Sequence, residues 1–162
     1  MMLVSWNCRG LGGSKKTKVI KRFKSMESVS VFLIHETKKT TDDSISSMKH
    51  LWPKGEGFAI IASGASSGLL TWWDNEKFSL QTTIENKNWL FVKLENKENK
   101  EAFWVGNIYG PMTQTQKEIF WNSLEEQSEG KKQALCFIAD DFNVTIFVDE
   151  HRGGVKVRDP FG

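Results

Sequence analysis

Residues Val29-Ser30-Val31-Phe32-Leu33-Ile34-His35-Glu36-Thr37 decide the reading of this chain. An apolar run broken by one serine is expected of a central strand buried on both faces. It stops on three polar side chains. Working outward, two other segments repeat the arrangement. Leu3 to Trp6 is a short apolar run that ends on Asn7 and passes into Gly10, Gly12 and Gly13, a strand leading into a loop. Leu135 to Ala139 is a further buried strand, ending on Asp140, Asp141, Phe142 and Asn143.

Between these lie more strand candidates: Phe58 to Ala62, Leu69 to Trp73, Phe78 to Ile84, Trp89 to Leu94 and Phe103 to Tyr109. The turns between them are Ser/Gly-rich or charged. A helix is predicted after Ser14, its expected N-cap, with Val19, Ile20, Phe23 and Met26 at helical spacing and lysines on the other faces. Gln114 to Glu129 reads as a second amphipathic helix with Ile119, Phe120 and Leu124 on its apolar side. No repeat, linker or low-complexity tract divides the sequence, so residues 1–162 are read as one domain.

Seven Trp and eleven Phe against one Tyr call for a thick core of layered sheets, because aromatic and β-branched residues suit strands. A net charge of +2 permits nucleic-acid binding without arguing for it. Cys8 and Cys136 are too few for a disulfide framework and read as small apolar residues of a reducing compartment. No apolar run approaches the ~20 residues that span a bilayer, and no signal peptide opens the chain. The expectation is an intracellular protein, nuclear or cytoplasmic, with no membrane and no obligate protein partner.

Four strands thus end on polar residues: Asn7, Glu36, Asn107 with Tyr109, and Asp141 with Asn143. Side by side in the sheets, these ends converge on one rim, where sites are commonly built. The residue types suit phosphodiester hydrolysis by water. That chemistry needs a cation at the phosphate, a group to deprotonate water, and donors to hold the phosphate in line. Mg²⁺ keeps several waters and needs only one or two acids. Glu36 is one; Asp141 is a second that can act as base. Asn7 and Asn143 are neutral amides for positioning, and Tyr109 is a phenol able to donate to a phosphate oxygen.

The strings that carry these residues are Ser-Trp-Asn-Cys-Arg-Gly-Leu-Gly at 5–12, His-Glu-Thr-Lys at 35–38, Gly-Asn-Ile-Tyr-Gly-Pro at 106–111 and Asp-Asp-Phe-Asn at 140–143. In that order they resemble the endonuclease/exonuclease/phosphatase superfamily, and are most similar to endonuclease domains of plant LINE-type non-LTR retrotransposons. The resemblance implies an α/β fold of the DNase I-like kind. It is a four-layer α/β/β/α sandwich of two mostly antiparallel β-sheets flanked by helices, with its last part missing. It implies Glu36 as ligand to Mg²⁺, with Mn²⁺ as a substitute, and Asn7 hydrogen-bonding the cluster. Tyr109 then contacts the scissile phosphate, Asp141 activates the attacking water, and Asn143 orients water or phosphate. DNA is the implied substrate, with Arg9, Lys15, Lys16 and Lys38 as candidate backbone contacts.

The sequence departs from the family pattern at named places. Asp140 stands where relatives usually carry Gly, and Arg9 where repair enzymes carry Asp. The chain is expected to be incomplete at its C-terminus, since the Ser-Asp-His string that closes the family's site does not follow; His151 is no substitute. The expected function is Mg²⁺-dependent DNA nicking of retroelement type. The alternative is a truncated, catalytically impaired remnant with weak metal or nucleic-acid binding, an unpaired sheet edge and an exposed apolar face.

Overall fold

A computed structural model describes residues 1–26, 29–61, 68–111, 113–131 and 134–141. Within them the central run becomes strand β2 (Val29–His35), every residue of which is buried. It lies inside a four-stranded sheet of order β1-β2-β4-β3. Strand β1 (Met2–Asn7) flanks it in parallel, and β4 (Leu69–Asp74) flanks it antiparallel. Strand β3 (Gly55–Ile60) closes one edge against β4. A strand with neighbours on both sides and layers on both faces has no solvent side, hence its unbroken apolar sequence.

The second sheet has the order β5-β6-β7-β8, with β5 (Phe78–Glu85), β6 (Trp89–Asn96), β7 (Ala102–Tyr109) and β8 (Cys136–Asp141). Its first two pairings are antiparallel and β7–β8 is parallel. Both sheets are therefore mixed, each antiparallel apart from one parallel pair. In each, the parallel pair carries the residues of interest to the same end.

Alternation of side chains sorts the aromatics into three apolar layers. Between the sheets lie Val31, Leu33, Leu69 and Trp73 from the first, against Leu90, Val92, Leu94, Phe103 and Val105 from the second. Outside the first sheet, Phe32, Ile34, Leu70 and Trp72 meet Ile20 of helix α1 (Ser14–Ser25) and Met48 of helix α2 (Thr41–Leu51). Outside the second, Trp89, Phe91, Trp104 and Ile108 meet Phe120 and Leu124 of helix α3 (Gln114–Glu129). The result is the expected α/β/β/α sandwich. Each fully buried ring contributes roughly 1.5–3 kcal/mol of transfer free energy, and the density of Trp and Phe in the sequence is the density of these three layers.

Several local expectations need correction. Helix α1 is capped by Gly13, not Ser14, and no side chain caps it. Met26 lies beyond the helix end and is 43% exposed. Ile119 is 68% exposed; the buried stripe of α3 is Lys117, Phe120 and Leu124, spaced three and four apart. Helix α2 was not expected at all. It starts on a reciprocal cap: Thr40 Oγ1 accepts from the Asp43 N–H at 3.1 Å and donates to Asp43 Oδ2 at 2.8 Å. Leu135, just before β8, and Ile138, within it, are 62% and 47% exposed among the described residues.

Candidate active site

The rim is assembled by strand register. Asn7 at the end of β1 aligns with His35 at the end of β2, and Tyr109 at the end of β7 aligns with Asp141 at the end of β8. Leu3, Val31 and Val105 pack between the sheets. Alternation therefore turns Asn7, His35 and Tyr109, each an even number of residues further on, toward the inter-sheet side. Glu36 follows β2 directly.

Glu36 is the hub. Its side chain is only 14% exposed. Asn7 Nδ2 donates to Glu36 Oε1 at 3.0 Å, and Tyr109 Oη donates to the same oxygen at 3.3 Å. Oε2 faces Lys38 Nζ at 3.9 Å. The Asn7 amide cannot be reversed, because its Oδ1 already accepts the Arg9 N–H at 3.1 Å and a backbone N–H can only donate. Groups from both sheets thus meet on one carboxylate.

The backbone around that carboxylate is unusual. Glu36 and Lys38 have positive φ, 54° and 53°, as does Arg9 at 47°. Such angles are uncommon for residues with a Cβ and need support from their surroundings. Support comes from the loop after β1. Cys8 N–H donates to His35 O at 3.1 Å, Gly10 N–H to Glu36 O at 2.6 Å and Leu11 N–H to Thr37 O at 2.6 Å. Gly10, with φ 102°, makes the turn that brings this loop alongside. Lys16 Nζ then fastens the loop by donating to Arg9 O at 2.9 Å and Gly10 O at 2.6 Å.

Cys8 sits under the site, and its Sγ donates to Glu36 O at 3.4 Å. Burial pushes the Cys8 thiol above its ordinary value, so it remains a neutral donor and no thiolate ligand. Among the described residues, no group of three or more His, Cys, Asp or Glu side chains gathers to hold a metal. A single carboxylate with amide and phenol neighbours suits an oxygen-loving cation that retains water, and does not suit zinc. Lys38 is half-exposed and can swing away, leaving Oε2 to such a cation.

Of the residues singled out from sequence, Asn7, Glu36, Tyr109 and Lys38 come together directly. Asp141 reaches the rim through its backbone register, and Asn143 lies outside the described residues. Arg9 and Lys15 are exposed, while Lys16 is occupied in fastening the loop. Asn107 is not a rim residue. It is fully buried between the sheets, donating from Nδ2 to Leu70 O at 3.1 Å and Thr71 Oγ1 at 3.3 Å. It is a polar tie between β7 and β4 placed two residues before Tyr109, a role its shared parity with Tyr109 could have suggested.

No protein-family model matches the sequence. No curated protein matches it either. Solved structures do. A mannosyl-6-phosphatase of Bacteroides thetaiotaomicron superposes with TM-score 0.67 at 14% identity, covering 88% of this chain and 65% of its own. An endonuclease/exonuclease/phosphatase protein of Bacteroides vulgatus gives 0.69 at 14%, over 88% and 66%. The APE2 catalytic domain of Xenopus laevis gives 0.68 at 18%, over 94% and 62%. The chain therefore has the fold of these proteins, and it spans just under two thirds of their length. None of its described helices is long and apolar enough to cross a membrane.

Proposed function

We propose that the chain belongs to a single endonuclease/exonuclease/phosphatase-type domain whose rim cleaves phosphodiester bonds with the aid of Mg²⁺, Mn²⁺ being an acceptable substitute. The observation that carries this reading is the meeting of Asn7 and Tyr109, from opposite sheets, on one oxygen of Glu36. Folds of this kind house both a phosphatase and a nuclease-named protein among the structures it resembles, which supports hydrolysis at phosphorus as the shared chemistry.

Glu36 would hold the cation through Oε2, with Asn7 fixing the carboxylate so that it does not rotate. Bound there, Mg²⁺ would neutralise charge on the phosphate oxygens and favour departure of the leaving oxygen. Tyr109 Oη, held at a long 3.3 Å from Glu36, can redirect its proton to a non-bridging phosphate oxygen. Asp141 is the proposed base that takes a proton from the attacking water, and Asn143 the amide that orients it. Arg9, Lys15 and Lys38 are exposed and would contact phosphates flanking the scissile one, with a salt-dependent contribution to binding. This basic fringe favours DNA over a small phosphate ester, and DNA nicking of the retroelement type, within the nucleus or cytoplasm, is the specific activity we assign.

A second reading is cation and nucleic-acid binding without turnover. It is favoured by the thin ligand set, one carboxylate without a cluster around it among the described residues. Supercoiled plasmid with Mg²⁺ separates the two. Conversion to open circles by the protein, abolished in Glu36→Gln, supports the enzyme. Equal conversion by both proteins, or none by either in a cooperatively folded sample, removes it.

A further inference from the structure

We propose that Gly68 and Thr37 form a positioning pair that sets the Glu36 carboxylate, an inference that rests on the site described above but tests apart from its activity. Glu36 occupies left-handed backbone, φ 54°, and Lys38 does too, φ 53°. Two such residues cost of order 1–2 kcal/mol each, so the segment holds its shape only if its neighbours enforce it. Between them lies Thr37, 1% exposed. On one side the loop after β1 holds it, Leu11 N–H donating to Thr37 O at 2.6 Å. On the other side stands Gly68, at the entry to β4, whose carbonyl accepts the Thr37 N–H at 3.1 Å.

The approach on that second side is close enough to require glycine. A Cβ placed on Gly68 would overlap Thr37 Oγ1 and come within 3.4 Å of Thr37 Cβ. The φ of Gly68, 148°, is also one that side chains rarely adopt. Thr37 is thus buried between two backbones and hydrogen-bonded to both. A side chain at position 68 must displace the Thr37 hydroxyl, and because Thr37 is buried that displacement is expected to carry to Glu36, covalently next to it, and to disturb the 3.0 Å bond from Asn7 Nδ2 to Oε1. Neither residue touches the reacting groups. They act through Glu36, as outer partners of metal ligands commonly do.

The Asn7 side-chain amide reports the carboxylate position directly, in protein free of metal and substrate. Its ¹H–¹⁵N cross-peak is measured in the wild type and in Glu36→Ala, where the acceptor is gone. Gly68→Ala is expected to move that cross-peak most of the way toward the Glu36→Ala position while the chain still melts cooperatively. Adding Thr37→Ala, which removes the group that the new methyl strikes, is expected to bring the cross-peak back by at least half of the displacement. A merely structural role would lower the melting temperature without moving the Asn7 signal, and would not be rescued.

Should Gly68→Ala fail to fold, Thr37→Ala alone decides: with no methyl at position 68 to refill the space of the lost hydroxyl, the segment loosens and the Asn7 cross-peak is expected to shift or broaden. An unmoved Asn7 signal in folded Gly68→Ala, or in Thr37→Ala if the former is unfolded, overturns the proposal. If plasmid nicking is present, Gly68→Ala is also expected to lose ~10–100-fold in turnover, as outer-partner substitutions at metal sites do. A moved Asn7 signal without nicking in any protein would sink the hydrolytic reading and leave the positioning pair standing.

Discussion

Replacing Asn107 by Asp tests the tie between the sheets with almost no change of shape. Asn107 is wholly buried, and its Nδ2 supplies both bonds that join β7 to β4. Its Oδ1 has no hydrogen-bond partner among the described residues. In the Asp variant an ionised side chain would present two acceptors to the Leu70 carbonyl. A fully buried, unpaired carboxyl has its pKa raised by about 3–5 units above ~3.9, and each unit corresponds to ~1.36 kcal/mol. The folded-state pKa is raised, so stability is retained below the unfolded value and lost as pH climbs toward the folded one. Summed to pH 8 the loss is roughly 4–6 kcal/mol, of which about 1.5 is already spent at pH 5. Such a loss is comparable with the ~5–15 kcal/mol that holds a domain together. Urea denaturation followed by Trp fluorescence at both pH values reads it out. Relative to wild type, Asn107→Asp should be about 2.5–4.5 kcal/mol worse at pH 8 than at pH 5, a midpoint difference of roughly 1 M urea or more. Asn107→Leu, which has nothing to titrate, should show the same deficit at both. Matching pH profiles for the Asp and Leu variants would refute the argument.

Three further outcomes follow from local geometry. Thr40→Ala removes both bonds of the α2 cap and should lower stability by about 1 kcal/mol, whereas Ser14→Ala, at a helix start with no side-chain cap, should stay within ~0.5 kcal/mol in the same melt. Gly55→Ala would drive a methyl into the indole Nε1 side of buried Trp72 and should destabilise by roughly 1–3 kcal/mol. An unchanged melting temperature would show that the β3 edge yields freely. Burial raises the thiols of Cys8 and Cys136 above 9.0, so both favour the folded state below that pH and cease to as pH rises through their folded values. Melting temperature should fall above pH 9, and less so in Cys8→Ala, in which the deeper of the two thiols is gone.

Much of this architecture was legible in sequence, and the reasons differ by element. The β2 run could be read because both its faces are covered, which leaves no polar alternation to blur it. The rim followed from strands that stop on polar residues, and the parallel pairs β1–β2 and β7–β8 then bring Asn7, Glu36 and Tyr109 to one end. Helix α2 gives a weak sequence signal because it is rich in Ser and Asp. Its apolar positions Ile45, Met48 and Leu51 are few, although the Thr40-to-Asp43 spacing is a start signal that could have found it. Ile119 misled because hydrophobicity alone does not say which face of α3 meets Trp89 and Trp104. Gly68 was unreadable in principle. Its importance lies in a contact with Thr37, 31 residues away and in another strand's extension, that exists only once β2 and β4 have paired.

The proposed hydrolytic site stands or falls with Glu36, steadied by Asn7 and Tyr109, as its cation-holding group. Titrating Mn²⁺ into the protein and counting bound ion by electron paramagnetic resonance addresses it without any substrate. One saturable ion is expected in the wild type, displaced by Mg²⁺, weakened ~10–100-fold in Asn7→Ala and absent from a cooperatively folded Glu36→Gln. Equal Mn²⁺ binding by wild type and Glu36→Gln would contradict it.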